Sequence, residues 1–433
     1  MNATVRRVAV LGGRRIPFAR QNGPYARASN QDMLTAALDA VAVGFGLEGA
    51  TLGEVAAGAV LKHSRDFNLT RESVLGSRLA PETPAYDVQQ ACGTGLEAAI
   101  LVANKIALGQ IDCAIAGGVD TTSDAPLALN EDLRSVLLDL SRNRSTAARL
   151  RALARLRPQH VVPEIPRNAE PRTGLSMGEH AAITAREWAI GREEQDALAV
   201  ASHRALAAAY DSGWMDDLVV PHLGLERDQN LRPDSTPEKL AALRPAFGGP
   251  QGTMTAGNST PLSDGASAVL LASEEWAAAH DIPVQAVLVD ARTAAVDYVH
   301  RREGLLMAPA YAVPALLARA GLALQDFDFY EIHEAFAAQV LSTLKAWEDP
   351  VFCTERLGLP GALGAIDRAR LNVHGGSLAA GHPFGATGGR IVATLAKALS
   401  EADPDPGRPR RGLISICAAG GLGVTAILET VDA

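Results

Sequence analysis

A chain of 433 residues with a formal charge of −9 lacks the basic surface that general nucleic-acid binding needs to neutralise phosphates. Its hydrophobic fraction of 47% and charged fraction of 21% are those of a globular protein with a large core, in two or three compact units or one composite domain. Four cysteines scattered at positions 92, 113, 353 and 417, with no Cys-x-x-Cys pair, exclude a disulfide scaffold, argue against a metal site and fit a reducing, cytoplasmic setting.

In chain order, Met1 to Arg7 leads into a short apolar strand rather than a signal-peptide core, and no apolar run approaches the length of a membrane span. Val8 to Leu11 reads as a buried strand ending at Gly12-Gly13, Met33 to Val43 as a helix, Glu54 to Val60 as a strand and Val74 to Leu79 as a short helix. Asp87-Val88 leads as a strand into Cys92, Leu96 to Leu108 is a periodic helix stopped by Gly109, and Ala114 to Ala116 is a strand closed by Gly117-Gly118. This alternation is that of an α/β unit with a largely parallel sheet.

A similar order returns later. Val287 to Val289 reads as a strand, Val313 to Ala320 as a helix, Phe327 to Ile332 as a strand running into His333, and Ile391 to Leu399 as a helix. Leu413 to Cys417 and Val424 to Leu428 close the chain as strands around a tight Ala/Gly turn. The order points to a weak internal duplication with a period far too long for a solenoid.

The stretch from about Leu129 to Phe247 differs in character. It carries Arg134, Arg142, Arg144, Arg149, Arg151, Arg155, Arg157, Arg167 and Arg172. Ser145 is placed to cap a helix to Arg157 that Pro158 stops, with Ala147, Leu150, Leu153 and Ala154 on one face. A second, Ala-rich helix spans Glu193 to Tyr210. The region reads as an insertion over the sheet layers, close to the active site.

Four Gly/Ala-rich neighbourhoods carry the chemistry. Cys92, in Gln90-Ala91-Cys92-Gly93-Thr94-Gly95, follows a strand and opens a helix, where free amides and the positive end of the dipole would stabilise a thiolate and lower its pKa. A small buried thiol is the plain alternative. The segment Asn372 to Arg390 is the most distinctive: it has no Gly-Lys-Ser/Thr ending and no Gly-x-Gly-x-x-Gly, while Pro383 fixes the backbone beside His382. An imidazole held in such a crowded cleft can take a thiol proton and later donate to an oxyanion. His333-Glu334 fails as a zinc-protease motif because Ala337 stands where the second histidine would be; His333 instead ends a strand, where open α/β sheets place active-site groups. Cys417 ends another strand, before Ala418-Ala419-Gly420-Gly421, and beside Cys92 and His382 becomes a candidate acid/base. Gly252 to Pro261 is a polar turn or binding loop.

Together these four stretches resemble the thiolase family, acyl-CoA C-acyltransferases, over nearly the whole chain. The resemblance implies a duplicated α/β fold in a layered αβαβα arrangement with an inserted loop domain. The domains expected are 1–128 as the first part of the N-terminal half, 129–247 as the insertion, 248–285 completing that half and 286–433 as the C-terminal half. It implies that Cys92 is acylated, His382 activates it and Cys417 shuttles the proton at the acetyl-CoA α-carbon. His382, with His333 or a water that His333 holds, would bind the enolate oxygen, and the amides of Cys92 and Ala419 the tetrahedral intermediate. Met177 and Thr260 would lie along the pantetheine of coenzyme A, which is a substrate rather than a resident cofactor, with insertion arginines near its phosphates. His-Glu-Ala-Phe and Cys-Ala-Ala-Gly-Gly resemble the branch of fatty-acid β-oxidation complexes. That implies a homodimer or homotetramer and leaves open a hydratase/dehydrogenase partner subunit and membrane contact through the arginine-rich insertion. The competing readings are an acetoacetyl-CoA-forming acetyl-CoA C-acetyltransferase, a β-ketoacyl synthase of the same superfold, a cysteine hydrolase and a non-catalytic structural subunit.

Overall fold

A computed structural model describes residues 5–301, 303–403 and 407–431; Met1 to Thr4, from the segment expected to lead into the first strand, lie outside the described residues. The first strands are β1 (Val8–Arg15), β2 (Ala19–Arg20), β3 (Glu54–Ala57), β4 (Ala85–Asp87), β5 (Cys113–Asp120) and β6 (Pro245–Phe247). They are followed by β7 (Met254–Thr255), β8 (Ser263–Ser273), β9 (Ala286–Ala295), β10 (Phe329–Ile332), β11 (Arg411–Ala418) and β12 (Leu422–Glu429). One sheet runs β10-β11-β12-β9-β1-β8-β5-β3-β4, with β2 on β8, and β6 pairs with β7 apart from it.

The expectation of a largely parallel sheet is corrected. Among the strands of the described residues, only β3–β4, β3–β5 and β10–β11 pair in parallel, whereas β1–β8, β5–β8, β11–β12, β9–β12 and β1–β9 are antiparallel. A tight turn between β11 and β12 allows no other sense, since parallel neighbours need a long crossover. In the first half the same closing role falls to β8, an eleven-residue strand buried along its whole length, which the sequence reading does not assign.

The duplication is explicit in the topology. Leu371 bridges Tyr330 in parallel, as β4 does β3, so each half repeats one order: β4-β3-β5-β8-β1 and Leu371-β10-β11-β12-β9. The halves meet through the short ladder Ala9↔Val287 and Val10↔Ala286.

Residue alternation in the strands builds the layers. Ala114 and Ala116 of β5 face a central core, whereas Cys113 and Ile115 face an outer one with Met33, Leu34 and Leu38 of the helix Asn30–Gly44. The central core joins Leu96, Val102 and Ile106 of the helix Thr94–Ala107 (the Cys92 helix) to Ile391, Val392 and Leu395 of Thr387–Glu401 (the His382 helix). Ile414, Ile416 and Val424 close that core from the other half. A second outer core sets Val313, Leu316 and Val340, from two helices, against Leu413 and Ile427. Helices therefore lie outside, between and outside two half-sheets.

Gly117 and Gly118 lie inside β5 rather than ending it. A Cβ on Gly118 would lie 2.2 Å from the Gly385 carbonyl oxygen, so the glycine is there for close backbone approach. The insertion helix Thr146–Leu153, which follows another at Glu131–Arg142, is capped by Ser145 as expected but ends before Arg157. Its expected apolar face is not buried: Leu150 is 61% and Leu153 42% exposed. The later helix Arg192–Asp211 places Leu206, Ala209 and Tyr210 in the central core. No described helix is long and apolar enough to cross a membrane.

Candidate active site

Cys92 sits in a sharp turn between β4 and the Cys92 helix. Ala91 adopts φ +47°, an uncommon conformation for a residue with a side chain. Thr94 holds the turn closed: its hydroxyl donates to the Ala91 carbonyl at 2.7 Å and accepts the Gln90 amide at 2.9 Å. The helix itself begins at Thr94, with Gly93 as its cap, so Cys92 precedes the first turn rather than opening it. Close packing then brings the other half in. A Cβ on Gly95 would lie 2.8 Å from Gly385 O, and one on Gly388 would lie 2.1 Å from Leu96 N; the two helix starts touch backbone to backbone because neither carries a side chain.

That contact delivers His382. Cys92 Sγ and a ring nitrogen from each of His333 and His382 all lie within 4.8 Å of one another. The His382 Nε2 is 3.2 Å from His333 Nε2, while His382 Nδ1 is 2.6 Å from the Thr387 hydroxyl. His333 directly follows β10, its amide donating to Ser415 O at 2.8 Å and its Nδ1 lying 2.9 Å from the Ser377 hydroxyl. These donor atoms could also close around a thiophilic cation. The sequence argument against metal rested on cysteine spacing, which does not see groups joined by folding.

The electrostatics revise one expectation. Burial pushes the Cys92 thiol up to about 12, against hydrogen bonds from the Ala419 amide and its own, with Asp120 and Glu170 adding to the rise. Desolvation of the charged form therefore outweighs the helix terminus. Burial likewise holds His382 down at about 3, helped by the charge of Arg390. The resting pair is a neutral thiol beside a neutral imidazole, so the proton must move as the nucleophile attacks.

Cys417, near the end of β11, is buried, and its thiol is raised by burial and by the neighbouring Cys92. The two thiols thus share one site. Beyond Cys417, the Ala419 amide reaches the Cys92 sulfur, and the turn is held by Glu170, which accepts from Gly420 N at 2.6 Å and Tyr298 Oη at 2.9 Å. Met177 starts the helix Met177–Glu187 and packs on the apolar cluster that includes Cys417 and Phe336. Thr260 donates its amide and hydroxyl to the carbonyl oxygen of Ala335, two residues beyond His333, each at 3.0 Å.

Sequence reading missed the groups that hold this arrangement. Asp120, at the end of β5, accepts the amides of Val60, Leu61 and Gly385 and so ties the first half to the His382 loop; burial raises its carboxyl to about 7. Glu334 is buried among Asn372, Ser202 and the Leu378 amide, at 2.6, 2.8 and 3.2 Å. Glu170 and Arg390 lay within stretches already singled out, but nothing in their spacing marked them. An acid after two glycines at a strand end, as at Asp120, was the one available signal.

A thiol flanked by two amides, a neutral imidazole beside it and a second thiol at a strand end are groups suited to acyl transfer through a cysteine thioester. Residues 8–275 match the family description "Thiolase, N-terminal domain" and residues 282–430 "Thiolase, C-terminal domain". The chain belongs to the thiolase family and is an acyltransferase. It is 39% identical over 429 residues to a 3-ketoacyl-CoA thiolase of Yersinia pestis, covering 98% of this chain and 97% of that one. The human mitochondrial 3-ketoacyl-CoA thiolase superposes with a TM-score of 0.80 at 27% identity, covering 99% of this chain and 100% of that one. The Bacillus anthracis acetyl-CoA acetyltransferase gives 0.79 at 29% identity, with coverage of 99% and 100%.

Proposed function

We propose that the chain is a 3-ketoacyl-CoA thiolase, working by two half-reactions through an acyl-Cys92 intermediate. The observation that carries this is the meeting of Cys92, with the Ala419 amide on its sulfur, His382 and Cys417 in one buried site. In the first half-reaction the Cys92 proton passes to His382 Nε2 and the sulfur attacks the 3-keto carbon. The C2–C3 bond breaks, its electron pair leaves as the acetyl-CoA enolate, and Cys417 protonates C2. In the second, the Cys417 thiolate takes the proton of coenzyme A, whose sulfur attacks the acyl group. Cys92 leaves as thiolate and recovers its proton from His382. The Cys92 and Ala419 amides would stabilise the tetrahedral intermediates, and the two imidazoles the enolate oxygen.

Coenzyme A enters as substrate. The human enzyme named above has also been solved in complex with CoA, at a TM-score of 0.80 and 27% identity, with 99% of each chain covered, which supports a CoA site here. We assign Met177 and Thr260 to the pantetheine. Among the insertion arginines, the charge of Arg172 reaches Tyr298 beside the Glu170 turn, which favours it for a phosphate contact. A role in fatty-acid β-oxidation fits the name of the Yersinia pestis relative; a cytoplasmic setting and a homodimer or homotetramer, with or without a hydratase/dehydrogenase subunit, are part of the same proposal. The exposed Leu150 and Val161 beside the arginines suit a docking face for a partner or a membrane.

The test is thiolysis of 3-ketoacyl-CoA substrates across chain lengths, with acetoacetyl-CoA as the shortest. Turnover of the longer substrates is expected; turnover of acetoacetyl-CoA alone would instead assign an acetyl-CoA C-acetyltransferase. No turnover at any length would overturn the proposal.

A further inference from the structure

Resting on the thiolase reading, a chain of hydrogen bonds behind the two histidines assigns each ring its proton. Arg390, buried in the His382 helix, reaches the Ser377 hydroxyl with its Nη2 at 3.2 Å. A guanidinium can only donate, so the Ser377 oxygen accepts there. The hydrogen of that hydroxyl then has one acceptor within reach among the hydrogen bonds of Ser377, His333 Nδ1 at 2.9 Å. At the far end, the Thr387 hydroxyl donates to the Pro383 carbonyl at 3.1 Å and so accepts from His382 Nδ1 at 2.6 Å. His382 thereby carries its proton on Nδ1 and presents a bare Nε2.

The contact between the rings checks this assignment independently. The two Nε2 atoms are 3.2 Å apart, which is a hydrogen bond only if one of them carries a proton. With His382 Nε2 bare, that proton belongs to His333. Both ends of the chain give the same answer.

We infer that Ser377, itself fixed by Arg390, is a positioning residue that locks His333 as the Nε2–H tautomer, making His333 a standing donor to the substrate oxygen and leaving His382 as the sole base for Cys92. Burial, with His382 and the charge of Arg390, disfavours a second proton on His333, so the ring stays neutral and its single proton has to be placed. Once His382 takes the Cys92 proton, both Nε2 atoms are donors and converge on one point, as an enolate oxygen requires. A serine matters at position 377 because its single hydroxyl hydrogen supplies a direction, which an alanine there would not.

The test is nitrogen NMR of the full chain labelled with ¹⁵N-histidine, with His333 and His382 assigned from His333→Asn and His382→Asn. Near neutral pH the wild type should show His333 protonated on Nε2 and His382 on Nδ1. In Ser377→Ala, His333 should populate both tautomers, and kcat for thiolysis should fall on the order of tenfold, less than the roughly 10²–10³ of losing an oxyanion donor outright. Ser377→Thr, which keeps the hydroxyl, should keep the wild-type tautomer. His333 protonated on Nδ1 in the wild type overturns the inference without any variant having to fold, as does an unchanged His333 tautomer in folded Ser377→Ala. A wild type with the expected tautomers but no thiolysis would sink the functional reading and leave this assignment standing.

Discussion

In the N-terminal half, β5 lies between β3 and β8 and is preceded by the Cys92 helix; in the C-terminal half, β11 lies between β10 and β12 and is preceded by the His382 helix. The frames repeat, but their chemistry does not. The first half supplies Cys92, the side chain we propose is acylated. The second supplies the groups assigned to proton movement and oxyanion binding: His333 directly after β10, His382 before its helix, and Cys417 near the end of β11. What the first half offers at the end of β5 is Asp120, a carboxylate that touches no reacting atom and instead holds the Gly385 amide of the other half at 2.7 Å. A duplicated fold thus brings two helix starts together by near-symmetry and sets the thiol of one beside the imidazole of the other.

The largest effect should come from removing what only the first half has. Cys92→Ser should lower thiolysis by at least about 10³-fold, as loss of a nucleophile does elsewhere; near-normal turnover would show that Cys92 is not acylated. On the other side, His382→Ala should cost about 10²–10⁴ in kcat/KM, the range of general acid–base catalysis. It should also slow alkylation of Cys92 near neutral pH, because a thiol held at about 12 depends on a nearby base. An unchanged pH–rate profile for alkylation would remove His382 as that base.

The junction between the halves is tested by Gly388→Ala. Its Cβ would lie 2.1 Å from Leu96 N, backbone that cannot swing aside, so stability should fall at the upper end of the roughly 1–3 kcal/mol that overpacking costs. Chemical denaturation measures this, and an unaffected midpoint would show the helix starts to be less tightly docked. The smallest change should follow Asp120→Asn, where an amide nitrogen replaces one acceptor for three backbone N–H groups. Leaving one of them unpaired should cost about 1–2 kcal/mol. The same variant has a pH signature. Folding raises the Asp120 carboxyl from the ordinary carboxylate range to about 7, so the stability it contributes is fully present below the unfolded value and lost as pH rises through 7. Stability of Asp120→Asn should lack that decline; a parallel decline in both proteins would assign it to another group.

The sequence by itself determined the local pieces and the chemically capable residues. Periodicity located the Cys92 and His382 helices, short apolar runs located β9, β11 and β12, and the small residues around Cys92, His333, His382 and Cys417 marked them as groups kept free for approach. Strand boundaries at glycines were misjudged, because a glycine that ends a strand and one that lets another backbone come close, as Gly118 does, read alike in one dimension. The buried run of β8 gave no alternating pattern to detect. The tertiary structure alone decided the sheet's sense, the meeting of two thiols 325 positions apart in the chain (92 and 417), the raised Cys92 thiol and the hydrogen-bond chain from Arg390 to Thr387. Each of these depends on desolvation or on contacts between distant segments, and both arise only when the halves close on the shared helical layer.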